Sequence, residues 1–470
     1  MNEYEDTYFF NSREALRVAL LQNRYNENNS LQICYYDGEK SESELVNLIH
    51  LPIENLVENL AVGEYRIPSK VDFTGLELSS SIKLEITVNF NMSIEHAKTY
   101  RDKYLEYYYK KITNATLNFS EPLRFYMSAS ANTQVMRYVS ENLANVLKAK
   151  GYEIDFHLYS GIEDLACLKR VAECNPHVTI NINHFNNKFL NKDIFNFVWF
   201  QDPMSNLLNQ KKIEQRERDH VFSLIPELDK LLDSMNIPHQ RQSFCVNSDV
   251  YKFNPDIKRG KKIVFIGNSY HSQYYDLDEN KQMIKYIINL FEKGESFTDS
   301  KIEEISKEFL VDKAFLALKI IPYVVRDLSV LWLCSIKSEY QIEVYGNGWD
   351  KYDAIAPFYK GVLQYGDDIA DVYSGATYAF APHQIYLLQQ RVLEASSCGA
   401  IPITYDCRDI TDEKVYEEAF CFFKTKKDLE NILANEKIPQ KSFDNLLNEN
   451  SYDYFIETMI KIVKDNQIDE

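Results

Sequence analysis

The segment His383-Gln-Ile-Tyr-Leu-Leu-Gln-Gln-Arg391-Val-Leu-Glu394-Ala-Ser-Ser-Cys-Gly399-Ala-Ile-Pro-Ile403 decides how this chain is to be read. It follows the apolar, strand-like run Ala376-Thr-Tyr-Ala-Phe-Ala381 and leads into another, Ala400-Ile-Pro-Ile-Thr404. Between the two runs the spacing predicts a helix that begins near Gln389 and stops at Gly399. A strand, a loop and then a helix amino terminus place free N–H groups and the helix dipole at the strand's carboxyl end, where a phosphate is favoured. Arg391, in the first turn, adds a forked cationic donor for the same anion. Glu394 lies one turn further along the same face, with a carboxylate suited to two neighbouring ribose hydroxyls. An ordinary exposed i,i+3 ion pair is the alternative reading of these two residues.

The alternation of strand and helix extends in both directions. Lys261-Lys-Ile-Val-Phe-Ile-Gly267 and Gln341-Ile-Glu-Val-Tyr345 read as further strands, and 429–433 and 453–464 as closing helices. Upstream, 123–127, 152–159, 177–182, 196–200 and 220–224 read as strands. An amphipathic helix follows the first of them and ends at Lys150-Gly151, and another helix is predicted over 226–236. The segment 245–256 has turn residues, one proline and no long apolar run, as expected of a crossing between domains. The fold class is therefore α/β, with two doubly wound parallel-sheet (Rossmann-like) domains at 121–255 and 256–450 facing a cleft, and 451–470 as a closing helix. Residues 1–120 are expected to form an α+β extension with helices at 12–24 and 42–60 and a strand at 83–90. A tyrosine-rich helix follows, around Tyr100, Tyr104, Tyr107, Tyr108 and Tyr109. Those tyrosines either stack on sugar or pack against the next domain.

Composition narrows the function classes. The chain of 470 residues is 45% hydrophobic and 13% aromatic with few glycines and prolines, which excludes a disordered or collagen-like protein. Its net charge of −18 makes a general nucleic-acid binder a poor fit, because phosphate affinity needs clustered positive charge. The eight cysteines are scattered with no C-x-x-C pair and read as reduced core residues of a cytoplasmic protein. No window approaches about 18 uninterrupted apolar residues, so no membrane span is expected. No His, Cys or carboxylate cluster has metal-ligand spacing and no Asp-x-Asp follows a strand, so neither metal nor bound cofactor is expected.

The remaining candidates sit at strand ends. Gly267 and Asn268, in Ile266-Gly-Asn-Ser-Tyr-His271, allow backbone to approach a phosphate closely; a plain turn is the alternative. The run is not G-x-G-x-x-G, which leaves a dinucleotide dehydrogenase unsupported. Gly346, in Tyr345-Gly-Asn-Gly-Trp349, either shapes a nucleotide pocket or forms a tight turn over a packed tryptophan. His383 directly precedes the anion-binding loop, in a functional or a capping role. In the first domain, Asp202 and then His184 are the candidates for a base that takes a proton from an attacking hydroxyl, with structural hydrogen bonding as the alternative.

The order of Val344-Tyr-Gly-Asn-Gly-Trp349, Tyr359-Lys-Gly361-Val362, Ala370-Asp-Val-Tyr373, Ala381-Pro-His383 and Arg391-Val-Leu-Glu394…Cys398-Gly-Ala400 resembles the carboxy-terminal domain of GT-B glycosyltransferases. The resemblance is to group 1, near the family of the spore-maturation protein CgeB. Asp249-Val-Tyr-Lys-Phe-Asn-Pro255 is similar to the segment that joins the two domains of these enzymes, and the likeness covers about 120–465. It implies a glycosyltransferase that moves a sugar from a nucleotide-sugar donor to an acceptor hydroxyl on a protein, glycan or small molecule. It further implies that Glu394 holds the donor ribose, the Gly267–Ser269 loop approaches the phosphates, and the loop through Gly361 and Val362 lines the base pocket. Many group 1 enzymes carry Glu-x7-Glu, and here Tyr386 stands where the earlier glutamate would be. That departure keeps open a second reading, a catalytically idle scaffold that binds a nucleotide-sugar or glycan. Residues 1–120 are expected to select the acceptor or to form a homodimer contact.

Overall fold

A computed structural model describes residues 5–25, 33–40, 48–63, 65–130, 134–159, 164–202, 207, 213–271, 275–384, 386–411, 419–435 and 443–467. The chain separates into two compact units. One runs to Arg241 and takes in the chain again from Thr458; the other spans Gln242–Glu457.

Among its described residues the first unit holds two sheets. The smaller is built from β1 (Thr7–Phe9), β2 (Cys34–Tyr36), β3 (Leu48–His50) and β4 (Lys70–Asp72) in the order β3-β2-β1-β4. All its strands are parallel, a more regular body than the α+β extension expected. With three residues each, these strands are too short for alternation to be visible in the sequence. The residues expected as a helix over 42–60 divide: 42–47 lie outside the described residues, 48–50 form β3, and helical turns occupy Ile53–Asn55 and Leu56–Ala61.

Residues 83–90, expected as a strand, belong instead to a helix of 34 residues, Ser80–Thr113, capped by Ser79. The alternation of Leu84, Ile86, Val88 and Phe90 would put all four on one strand face. In the helix only Phe90 turns inward, joined by Ile94 and Ala97 against Tyr8, Tyr35 and Leu60, while Leu84 and Val88 are exposed. Further along, Tyr108 and Ile112 pack on Leu165 and Leu168, so one tyrosine takes the packing role; Tyr100, Tyr104, Tyr107 and Tyr109 remain exposed.

The larger sheet of this unit has six strands: β5 (Arg124–Ser130), β6 (Glu153–Tyr159), β7 (Val178–Ile182), β8 (Phe195–Phe200), β9 (Asp219–Ser223) and β10 (His239–Arg241). Their order is β10-β9-β8-β7-β5-β6, every pair parallel. Every residue of β8 is buried, the mark of a central strand covered on both faces. The direction of strand order reverses between β5 and β7, the place at which doubly wound sheets generally take ligands.

The second unit repeats the plan with β11 (Lys262–Ile266), β12 (Gln341–Tyr345), β13 (Tyr378–Ala381), β14 (Ile401–Tyr405) and β15 (Cys421–Phe423) in the parallel order β12-β11-β13-β14-β15. Its core joins Ile263, Phe265, Val344, Phe380 and Ile403 of the strands to Ile287, Phe291, Val324 and Leu333 of the covering helices. Two doubly wound, Rossmann-like parallel sheets in succession are thus present, as the strand–helix alternation implied. The reversal in this sheet lies between β11 and β13. The eight cysteines are free thiols, five of them buried. Among the described residues no helix is long and apolar enough to cross a membrane.

Candidate functional site

Because all five strands of the second unit are parallel, the turns after β11, β12 and β13 emerge at one end of the sheet, beside its reversal point. The first two turns interlock. Gly267 N–H donates to Tyr345 O at 3.0 Å, Ser269 N–H to Asn347 O at 2.9 Å, and Asn347 N–H to Asn268 Oδ1 at 2.9 Å. Trp349, fully buried, donates its indole N–H to Gly267 O at 2.7 Å. Gly346 sits at φ 127°, and a Cβ there would lie 2.1 Å from Gly267 O, so only glycine admits this approach. Its N–H donates to Gly361 O at 2.9 Å, which brings the 359–362 loop alongside, with Val362 outward and 59% exposed. Gly267, Asn268, Gly346 and Gly361, far apart in the sequence, are thereby assembled into one backbone-lined surface.

The helix Ile321–Ser335 delivers two residues to that surface that sequence reasoning missed. Arg326 lies over the Tyr270 ring at 3.8 Å, donates to Asn268 O at 3.4 Å, and reaches within 3.7 Å of the point where a Gly267 Cβ would stand. Asp327 is buried and accepts from the same turn. The available signal was a charged pair inside an otherwise apolar run, Ile321-Pro-Tyr-Val-Val-Arg-Asp-Leu-Ser-Val330.

His383 follows β13, its ring 4.4 Å from that of Tyr386, the residue in the place of the absent glutamate. Burial, aided by the positive charge of Arg326, pushes the His383 imidazole down to about 3. A neutral histidine in the fold and a protonated one in the unfolded chain mean that stability is lost as pH falls from about 6.5 towards 3. His383→Asn is expected to flatten this part of the profile, its Tm dropping less than that of the parent between about pH 6.5 and pH 4. Thermal unfolding measures this, and an unchanged slope would mean that the imidazole takes up its proton in the fold.

The helix Gln390–Ser397 begins and ends where the spacing predicts. Gly399 then turns the chain at φ 81° into β14. Arg391 and Glu394 do pair, with Nη1 donating to Oε2 at 2.5 Å, but the carboxylate is only 1% exposed rather than at the surface. Its other oxygen accepts from Gln390 Nε2 at 3.0 Å, and the Tyr251 hydroxyl is a further partner. Burial raises the Glu394 carboxyl above its ordinary value against the pull of Arg391. The Arg391 guanidinium stands 4.9 Å over the Tyr365 ring. Tyr251 and Tyr365 were not singled out from the sequence.

In the first unit, His184 and Asp202 follow the adjacent strands β7 and β8, and Asn183 ties the two ends together. Asn183, at φ 62°, donates its N–H to Trp199 O at 3.0 Å. Its Oδ1 accepts from the N–H groups of Gln201 at 2.7 Å and Asp202 at 3.1 Å. His184 and Asp202 are exposed.

Residues 326–460 match the family model described as glycosyl transferase-like. No curated protein matches the chain. Among solved structures, it is similar to a sucrose-phosphate synthase from Thermosynechococcus elongatus, at 11% identity over 74% of this chain and 100% of that one, with a TM-score of 0.46. It is also similar to AviGT4, a glycosyltransferase involved in avilamycin A biosynthesis, at 9% identity over 73% and 97% with a TM-score of 0.43. SnogD, a glycosyltransferase from Streptomyces nogalater, is similar at 10% identity over 73% and 99% with a TM-score of 0.36.

Proposed function

We propose that this chain is a GT-B glycosyltransferase that moves a sugar from a nucleotide-sugar to an acceptor hydroxyl, with the donor held on 256–450 and the acceptor on 121–255. The observation that carries the reading is that the glycosyl transferase-like match, 326–460, contains Arg326, Gly346, Gly361, His383, Arg391 and Glu394, the residues gathered at the carboxyl ends of one parallel sheet. In this proposal the diphosphate lies along the Gly267–Ser269 and Gly346–Gly348 turns, where backbone approaches without Cβ obstruction, and Arg326 and Arg391 supply positive charge. The base lies along the Gly361–Val362 loop. Ribose hydroxyls reach the Glu394 carboxylate only when the Gln390 amide swings aside. Transfer forms a bond from the acceptor oxygen to the anomeric carbon and breaks the bond from that carbon to the diphosphate. The diphosphate leaves with the electron pair, and Asp202, or after it His184, takes the acceptor proton. Neither metal nor resident cofactor has a part in this scheme.

The test is a thermal-shift and turnover screen against UDP-, GDP-, ADP-, CMP- and TDP-sugars. One nucleotide is expected to raise Tm by several degrees and to support transfer or donor hydrolysis. Asp202→Asn is expected to keep that shift and lose roughly 10²–10⁴-fold in transfer. Full activity in this variant would remove Asp202 as the base. Tyr386 in place of the earlier glutamate, and a Glu394 carboxylate already occupied by its neighbours, favour the second reading of a binding scaffold without turnover. A Tm shift with no product from any sugar in the panel would establish that reading instead.

A further inference from the structure

Asp327 is 1% exposed and lies among apolar side chains on its own helix, with Val324, Val325 and Val330 also buried. A carboxylate so placed is costly unless its oxygens are hydrogen-bonded, and here three donors meet them. Ser269 Oγ–H donates to Oδ2 at 2.5 Å, Tyr270 N–H to Oδ1 at 3.0 Å, and Tyr352 Oη–H to Oδ2 at 2.7 Å. All three come from the turns that follow β11 and β12. The side chain therefore ties the two backbone turns to the helix from behind.

The preceding residue faces the same turn. Arg326 spreads over the ring of Tyr270, whose main-chain N–H Asp327 holds, and its buried Nε has no hydrogen-bond partner among the described residues. The position of the guanidinium thus depends on the position of Tyr270, and that depends on Asp327. We infer that Asp327 is a positioning residue: it clamps the Gly267–Tyr270 turn so that the turn's backbone and Arg326 together receive the diphosphate of a nucleotide-linked substrate. This rests on the reading of the second unit as a donor site and assigns the group that orders its anion-binding half.

The experiment measures affinity for two probes, inorganic pyrophosphate and the free nucleosides of the panel, on the full chain. The variants are Asp327→Asn, Arg326→Ala and the pair Ser269→Ala with Tyr352→Phe; the last removes two donors while leaving the buried carboxylate in place should Asp327→Asn fail to fold. Pyrophosphate is expected to bind the parent and to weaken roughly 10- to 100-fold in every variant, with the affinity for the nucleoside unchanged. Pyrophosphate affinity retained in Asp327→Asn and in the double variant, but lost in Arg326→Ala, overturns the positioning role. A parallel fall for pyrophosphate and nucleoside also overturns it, because that marks general damage to the fold. No binding of pyrophosphate to the parent overturns it outright. If pyrophosphate binds and responds as expected while no nucleoside or nucleotide-sugar binds, the clamp stands and the nucleotide-sugar reading falls.

Discussion

Glu394→Ala is expected to destabilise the second unit by about 3–5 kcal/mol, because it leaves the Arg391 guanidinium beside a cavity without its counter-charge. The carboxylate is 1% exposed and accepts from both Arg391 and Gln390, so little water is available to replace it. For a unit of this size the corresponding fall in Tm is roughly 10 °C, read by calorimetry or near-ultraviolet circular dichroism. The double variant Arg391→Met with Glu394→Leu separates structure from binding. Replacing a buried pair by apolar residues of similar volume is often neutral, so most of the stability is expected to return. Donor affinity is expected to stay lost, since both the cation and the carboxylate are gone. Recovery of donor affinity together with stability would reduce the pair to a packing element and remove it from the site.

Gly346→Ala is expected to abolish tight donor binding, by roughly 10²-fold, measured as nucleotide affinity and as kcat/KM for the sugar donor. Two effects add. The backbone at φ 127° is one that L side chains rarely adopt, and the new Cβ would fall 2.1 Å from Gly267 O. That carbonyl is the acceptor for the buried Trp349 indole, so it has no direction in which to yield without breaking the bond between the two turns. Gly361→Ala is the control: its φ is 95°, but nothing lies within 4 Å of a Cβ there. It is expected to carry the backbone strain, about 1–3 kcal/mol in stability, without forcing the two turns apart, and so to lose less affinity than Gly346→Ala. Equal losses in the two variants would mean that strain alone, and not the approach of the two turns, governs the site.

Much of the architecture was readable along the chain because each element is a local pattern. Phe197–Phe200 is apolar throughout, and such a run suits a strand covered on both faces. The helix from Gln390 ends at Gly399 because glycine takes the left-handed turn needed there. The strand expected over 83–90 failed because two local patterns overlap there and a distant contact selects between them. Leu84, Ile86, Val88 and Phe90 satisfy a period of two, while the longer row Phe90, Ile94, Ala97 satisfies the helical period, and packing against Tyr8 and Leu60 chose the latter.

The site was legible only in part. Glycines at strand ends pointed to Gly267 and Gly346, yet nothing near either in the sequence indicates that Arg326 and Asp327 complete the surface. Ser269 and Asp327 are 58 positions apart, and their hydrogen bond exists because β11 and β12 are adjacent and parallel and the helix between them packs back on the sheet. The Arg391–Glu394 pair shows the same division. One helical turn guarantees that the two side chains meet, but whether the carboxylate is bathed in water or sealed depends on Tyr251, more than a hundred residues away. Local periodicity and turn chemistry, which act over a few residues, settled most strands and helices of 121–465 and their parallel arrangement in the sequence itself. Burial, charge environment and the choice of partners depend on which distant segments are brought into contact, and only the tertiary structure decided those.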